Sequence, residues 1–206
     1  ASNNFSDMVT QSMLAHVPMQ FHPAAREALV VGLGSGVTIG TLATYPLERI
    51  DVVEISPEVV RAARDYFSDV NRRALDEPRV RCFVEDGRNF LAMGNSRYDV
   101  IVSEPSNAWL SGASILFTRE YFALIKNRLA EGGVFCQWFY SYSMSWDNIL
   151  TLLKTLHAEF PNVRVFNFSK ARFSGDLIIL ASRHRIDVTP RQVAGLDPRV
   201  SSIPEL

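Results

Sequence analysis

The stretch Ala28-Leu-Val-Val-Gly-Leu-Gly-Ser-Gly36, followed by Ile50-Asp-Val-Val-Glu54, decides how this chain is read. A short apolar run before a cluster of glycines predicts a buried strand, a tight turn and the start of a helix. The second run predicts a neighbouring strand that ends in a carboxylate. Glycine at Gly32, Gly34 and Gly36 lets backbone pass close to a ligand, because no Cβ intervenes and positive φ is permitted. An acid at the tip of the next strand is placed to accept hydrogen bonds from both hydroxyls of a ribose. Together they describe a nucleoside pocket.

The spacing narrows the nucleoside. A dinucleotide turn, G-x-G-x-x-G, would put its third glycine where Val37 stands. Here the glycines fall as G-x-G-x-G, and no lysine-serine pair follows to make a phosphate loop. This suits a cofactor without a pyrophosphate, whose charged, amino-acid-like tail lies along the turn. S-adenosylmethionine and its decarboxylated form fit that description. The plainer alternative is a glycine turn that only packs a helix on a sheet; the spacing to Glu54 argues against it.

Outward from this core, strand-like and helix-like segments alternate. Strands are predicted near 28–32, 50–54, 79–84, 98–103, 132–139, 162–168 and 176–182. Helices are predicted near 37–44, 57–68, 87–93, 118–130 and 146–159. Ser56-Pro57-Glu58 places a capping residue before a proline at the first helical position. Glu131-Gly132-Gly133 reads as a glycine C-cap. Such alternation means a mostly parallel sheet covered on both faces. The Ser169–Gly175 connection is too short for a helical crossover, so the last two strands pair antiparallel. The predicted architecture is α/β: a Rossmann-like, seven-stranded, mostly parallel sheet with a terminal antiparallel hairpin and helices on both faces, as in class I methyltransferases. One domain fills residues 1–206, with its core over 24–183 and an irregular tail over 186–206.

Composition sets bounds. A chain of 206 residues, 47% hydrophobic and 21% charged, is long enough for one α/β domain. A net charge of −1 gives no electrostatic reason to expect nucleic acid or an anionic membrane surface. Cys82 and Cys136 lie in apolar strands, read as reduced thiols, and point to the cytoplasm. Four scattered histidines without a cysteine pair give no metal-ligand spacing, and no metal is expected. No run is long and apolar enough to span a bilayer, and no basic-then-apolar leader opens the sequence. The opening Ala1-Ser-Asn-Asn reads as a domain excised from a longer protein.

Two further strand ends carry candidate chemistry. Glu85-Asp86-Gly87 follows the third strand, where a carboxylate can accept from an adenine amino group and a backbone N–H can meet a ring nitrogen. Asp86 also suits an N-cap for the helix at 87–93, and the two roles are compatible. The fourth strand is followed by Ser103-Glu-Pro-Ser-Asn-Ala-Trp-Leu-Ser-Gly112, in which Glu104 is the only acid. Trp109 and Leu110 read either as packing beneath a loop or as part of a lid hinged at Ser111-Gly112.

Several motifs now occur in a familiar order: Gln11-Ser-Met-Leu-Ala-His-Val-Pro-Met19, His22-Pro23, Ile50-Asp-Val-Val-Glu-Ile-Ser-Pro-Glu-Val-Val60, Asp86-Gly87, Tyr98-Asp-Val-Ile, Leu116-Phe-Thr-Arg-Glu-Tyr-Phe122 and Cys136-Gln137. From about residue 8 to about 183 the chain resembles the spermidine synthase catalytic domain. The form Glu104-Pro-Ser-Asn-Ala-Trp109 looks most like bacterial relatives in which this domain is fused to membrane helices. The resemblance implies that Gln11, Gly32, Gly34, Ser35, Gly36, Glu54, Ile55, Asp86 and Gly87 hold the cofactor. It implies Glu104 and Asn107 as the catalytic pair. Trp109, Gln137, Tyr140 and Phe173 fall on the acceptor side, Phe173-Ser-Gly175 standing where the family carries Tyr-Pro-Ser-Gly. It further implies a small amine or polyamine substrate and a homodimer, with no direct membrane contact from this chain.

The chain departs from the family pattern at four places. The glycine turn of the family reads G-G-G-D-G-G, and its aspartate is Ser35 here. The fourth-strand motif D-S-S-D or D-S-T-D falls on Glu104-Pro-Ser-Asn107, so the second acid has become an amide. The acid before Met13 is Ser12, and the amino-terminal β-domain of the free enzymes is missing. An amine with a pKa of about 10.4 must shed a proton before it attacks, and an amide can orient it but not accept that proton. Three functions follow, in descending order: aminopropyl transfer from decarboxylated S-adenosylmethionine, methyl transfer from S-adenosylmethionine, and nucleoside binding without catalysis.

Overall fold

The computed structural model describes residues 5–105, 112–141, 144–167 and 175–187. The elements in chain order are α1 (Phe5–Phe21), β1 (Glu27–Val31), α2 (Val37–Leu42), β2 (Arg49–Glu54), α3 (Pro57–Asp65), β3 (Val80–Val84), α4 (Gly87–Met93), β4 (Tyr98–Ser103), α5 (Arg119–Arg128), β5 (Leu129–Tyr140), α6 (Trp146–His157), β6 (Asn162–Asn167) and β7 (Asp176–Ser182). Short 3₁₀ turns occupy Ala74–Asp76 and Ala113–Phe117. The seven strands form one sheet in the order β3-β2-β1-β4-β5-β7-β6. β7 runs antiparallel to both of its neighbours, and the other pairings are parallel. This is the class I methyltransferase arrangement.

Strand residues alternate between two buried layers. Val30, Val52, Val102, Cys136 and Leu180 pack with Leu14, Val17 and Ile39 of α1 and α2. Leu29, Val53, Ile101, Phe135 and Ile179 pack with Phe122, Ile125 and Leu152 of α5 and α6. Each such side chain contributes about 1.5–3 kcal/mol by leaving water, which is why central strands with both faces covered read as unbroken apolar runs. The local signals at helix starts operate as expected: Ser56 caps α3 by accepting from the Val59 N–H, with Pro57 at the first helical position. Asp86 caps α4 by accepting from the Asn89 N–H at 2.9 Å.

Two features depart from the sequence reading. No helix is predicted at the amino end, yet α1 is the longest helix among the described residues. Met13, Leu14, Ala15, Val17 and Met19 are all buried, so α1 has no single apolar stripe, and Pro18 inside it reads as a breaker. The glycine C-cap is also incorrect. α5 ends at Arg128, Leu129 is its cap in extended conformation, and the chain passes directly into β5. Gly132, with φ +76°, instead lies in an irregularity where the β4–β5 register shifts between Tyr98 and Val100. The expected tail lies outside the described residues beyond Asp187.

Across the sheet, Asp51 is 1% exposed and accepts two hydrogen bonds from Arg81 (2.7 and 2.8 Å) and one from the Tyr98 hydroxyl (2.8 Å). Arg81 is half exposed, so part of the pair's attraction is screened. Asp51→Ala leaves the buried Tyr98 hydroxyl without its acceptor and is expected to cost about 1–3 kcal/mol, read by urea denaturation.

Candidate active site

The candidate site lies where the strand order reverses, at the carboxyl ends of β1, β2 and β4. Sheet-like hydrogen bonding continues one residue beyond the strands. Gly32 N–H donates to Val53 O, Glu104 N–H to Val31 O and Glu85 N–H to Glu54 O. The chain ends are therefore held in register before they diverge. Between them opens a cavity of about 400 Å³, lined by Gly32, Glu54, Ile55, Asp86, Gly87 and Glu104, and by Ala113, Ile115 and Leu116 of the 3₁₀ turn.

All three turn glycines adopt positive φ: +94° at Gly32, +55° at Gly34 and +83° at Gly36. At Gly32 there is a second constraint. A Cβ would stand 2.6 Å from the Glu104 carbonyl oxygen, so a side chain there would force β1 and β4 apart at the cavity.

Glu54 is 9% exposed and already holds part of the site together. One carboxylate oxygen accepts from the Leu33 N–H of the turn at 2.9 Å, and the other from the Ser56 N–H at 3.0 Å. A carboxylate offers about four acceptor positions, so about two remain for a ligand. Ile55 is 67% exposed and, with Ile115 and Leu116, provides apolar wall beside the three acids Glu54, Asp86 and Glu104. The sequence reading placed Leu116 in a family motif without assigning it to the pocket.

Glu104 differs in kind from Glu54. Its Oε1 is sealed from solvent and accepts no hydrogen bond among the described residues. Burial pushes its pKa up to about 8, opposed only in part by the Thr38 hydroxyl. Close by, burial and then the Glu104 charge push the Cys136 thiol well above its ordinary value, so it is an inert buried sulfhydryl. Cys82 is half-buried, and both cysteines are free.

Other expected residues lie around this cavity. The Ser35 hydroxyl is fully buried and donates to Gln11 Oε1 at 2.5 Å, while Thr38 donates to the Gln11 carbonyl at 2.9 Å. Ser35 and Gln11 therefore bind each other and tie α1 to the turn. Gln137 is fully buried, its amide donating to Trp138 O (2.8 Å) and Ser103 O (3.4 Å), with Oε1 unpartnered among the described residues. Tyr140 ends β5, half-buried and 6.0 Å from the Trp138 ring. Asn107, Trp109 and Phe173 lie outside the described residues. Among the described residues no group of three or more His, Cys, Asp or Glu side chains assembles at metal-binding distance, and no helix is long and apolar enough to cross a membrane.

Residues 7–187 match the sequence model of the spermine/spermidine synthase domain. The chain belongs to that family. It is 32% identical over 169 residues to a spermidine synthase of Dictyostelium discoideum, covering 82% of this chain and 59% of the relative. It is 33% identical over 165 residues to a polyamine aminopropyltransferase of Clostridium beijerinckii, covering 78% of this chain and 57% of the relative. A crystal structure of spermidine synthase in complex with the transition state analogue AdoDATO superposes with a TM-score of 0.80 at 25% identity, over 93% of this chain and 67% of that one. The chain thus spans somewhat under three fifths of the length of these curated relatives.

Proposed function

We propose that this chain carries the reaction centre of an aminopropyltransferase, which moves the aminopropyl group of decarboxylated S-adenosylmethionine to a small amine. The observation that carries this reading is the Glu104 carboxyl, whose buried Oε1 has no hydrogen-bond partner among the described residues, beside a cavity edged by Glu54 and Asp86, in a chain of this family. The residues present suit such a ligand. Free acceptor positions on Glu54 meet ribose hydroxyls, Asp86 and the Gly87 N–H meet adenine, and Ile55, Ile115 and Leu116 cover apolar surface. The unpartnered Glu104 oxygen calls for a donor or a cation.

When bound, the nucleoside supplies a propyl carbon activated by its sulfonium. The amine nitrogen forms a bond to that carbon as the carbon–sulfur bond breaks. The electron pair leaves with sulfur in methylthioadenosine, and the surplus proton of the nitrogen passes to Glu104. A carboxylate with a pKa of about 8 is a better match to an amine than an ordinary glutamate, because proton transfer is most effective between groups of similar affinity. Neighbouring positive charge favours its ionised form.

The direct test incubates the protein with decarboxylated S-adenosylmethionine and putrescine and measures methylthioadenosine. Formation of S-adenosylhomocysteine from the intact cofactor instead would assign methyl transfer. A chelator is expected to leave the rate unchanged, since the sulfonium already activates the carbon and needs no Lewis acid. Loss of activity restored by a divalent ion would overturn that. The two free cysteines favour the cytoplasm as the compartment.

A further inference from the structure

We infer that Asn71, which is not among the residues lining the cavity, is the positioning residue that holds the glycine turn in its ligand-ready shape. This rests on the proposed nucleoside role of Gly32–Gly36. Asn71 is 1% exposed and lies between α3 and the 3₁₀ turn at Ala74–Asp76. Its side-chain Nδ2 donates both hydrogens at 2.9 Å, one to the Ser35 carbonyl of the turn and one to the Ala63 carbonyl of α3. The Oδ1 atom is left without a partner among the described residues. Buried polar atoms are ordinarily satisfied, so this position keeps an amide for its two donors.

The surrounding backbone is shaped around the same residue. A Cβ at Gly36 would meet the Asn71 side chain at 3.1–3.5 Å, and one at Gly40 would meet the Asn71 carbonyl oxygen at 2.2 Å. Both glycines thus give Asn71 access to the turn and to α2. Asn71 itself is pinned: its N–H donates to Phe67 O at 2.9 Å and its carbonyl accepts from Ala74 N at 3.1 Å. Arg72 and Arg73 follow with φ of +59° and +55°, a left-handed pair that non-glycine residues rarely adopt. That strain is sustained only where packing over-determines the path, and here the path delivers Asn71 to the turn.

The turn is consequently fastened at both ends. Glu54 holds the Leu33 N–H, and Asn71 holds the Ser35 carbonyl. A nucleoside then meets amides and carbonyls that need no reordering, and affinity gains by what is already ordered.

The experiment compares the parent with Asn71→Ala and with Asn71→Asp, which keeps the shape but removes both donors. Calorimetry with methylthioadenosine is expected to show affinity about tenfold weaker in each variant, the worth of one or two such bonds. KM for the nucleoside cosubstrate should rise while kcat at saturation stays. In the unliganded protein, amide hydrogen exchange over residues 32–38 should quicken. Leu152→Ala, a core change on α6, should lower thermal stability without altering affinity, KM or exchange over residues 32–38. Parent-like affinity and exchange in the Asn71→Asp variant would overturn the inference. Faster turn exchange in a protein whose parent binds no methylthioadenosine would uphold the strut and remove the proposed function.

Discussion

Glu54→Ala is expected to weaken nucleoside binding by about 10²–10⁴-fold. Two hydrogen bonds from ribose to a carboxylate are worth about 1.5–3 kcal/mol each, and about 1.4 kcal/mol is a factor of ten. The geometry adds a second cost that the sequence does not reveal. The same carboxylate accepts from the Leu33 and Ser56 amides, so alanine also strips two N–H groups of their acceptor. Each group left without a partner costs about 1–3 kcal/mol where water cannot replace it, and some thermal stability should be lost with the affinity. Glu54→Gln separates the two effects, since it retains one acceptor oxygen but no charge. Calorimetry with methylthioadenosine and thermal denaturation provide the measurements. Unchanged affinity in Glu54→Ala, with the fold intact by circular dichroism, would remove Glu54 from the pocket.

Glu104→Gln is expected to reduce transfer by about 10²–10⁴-fold, the usual worth of a general base. The pH dependence follows from its raised pKa. The group is neutral below about 8 and ionised above, so the parent's rate should climb through that pH and level off. In the glutamine variant that rising limb disappears. Stability should move the other way. The folded state binds the proton more tightly than the unfolded chain, whose carboxyl has an ordinary value near 4.5. Stability contributed by the buried neutral acid is therefore complete below about 4.5 and is lost as pH rises towards 8. Above that, Glu104→Gln should melt at a higher temperature than the parent. Asn107→Asp, by restoring a second acid, should raise activity with diamines. Asn107 lies outside the described residues, so this expectation rests on the family motif. If Asn107→Asp gives no gain and the parent yields S-adenosylhomocysteine from intact cofactor, methyl transfer replaces aminopropyl transfer.

What was legible in the sequence was local. The strand from Ala28 to Val31, the three glycines at positive φ, the carboxylate of Glu54 one strand away and the Asp86 cap each announce themselves within a few residues. Their physics is backbone sterics, alternating burial and capping, which act over short separations. Their alternation along the chain was enough to predict a mostly parallel sheet, while the pairing of β1 with both β2 and β4 came from the fold.

What only the tertiary structure decided involves residues far apart in sequence. α1 escaped notice because its burial is contributed by α2 and strands β4, β5 and β7, leaving no apolar stripe to read. The Gly132-Gly133 pair looks the same as a cap or as a strand irregularity until Tyr98 and Val100 fix the register opposite it. Ser35 and Gln11 are both expected at the ligand, and only folding brings them, 24 positions apart, into hydrogen-bond contact. Glu104 is an acid after a strand in any reading. It becomes a high-pKa acid only when folding buries its carboxyl, because desolvation depends on the whole surroundings and not on neighbours in the chain. Asn71 carries no motif at all; its meaning comes from two carbonyls, 36 and 8 positions away, that folding brings within reach of one amide.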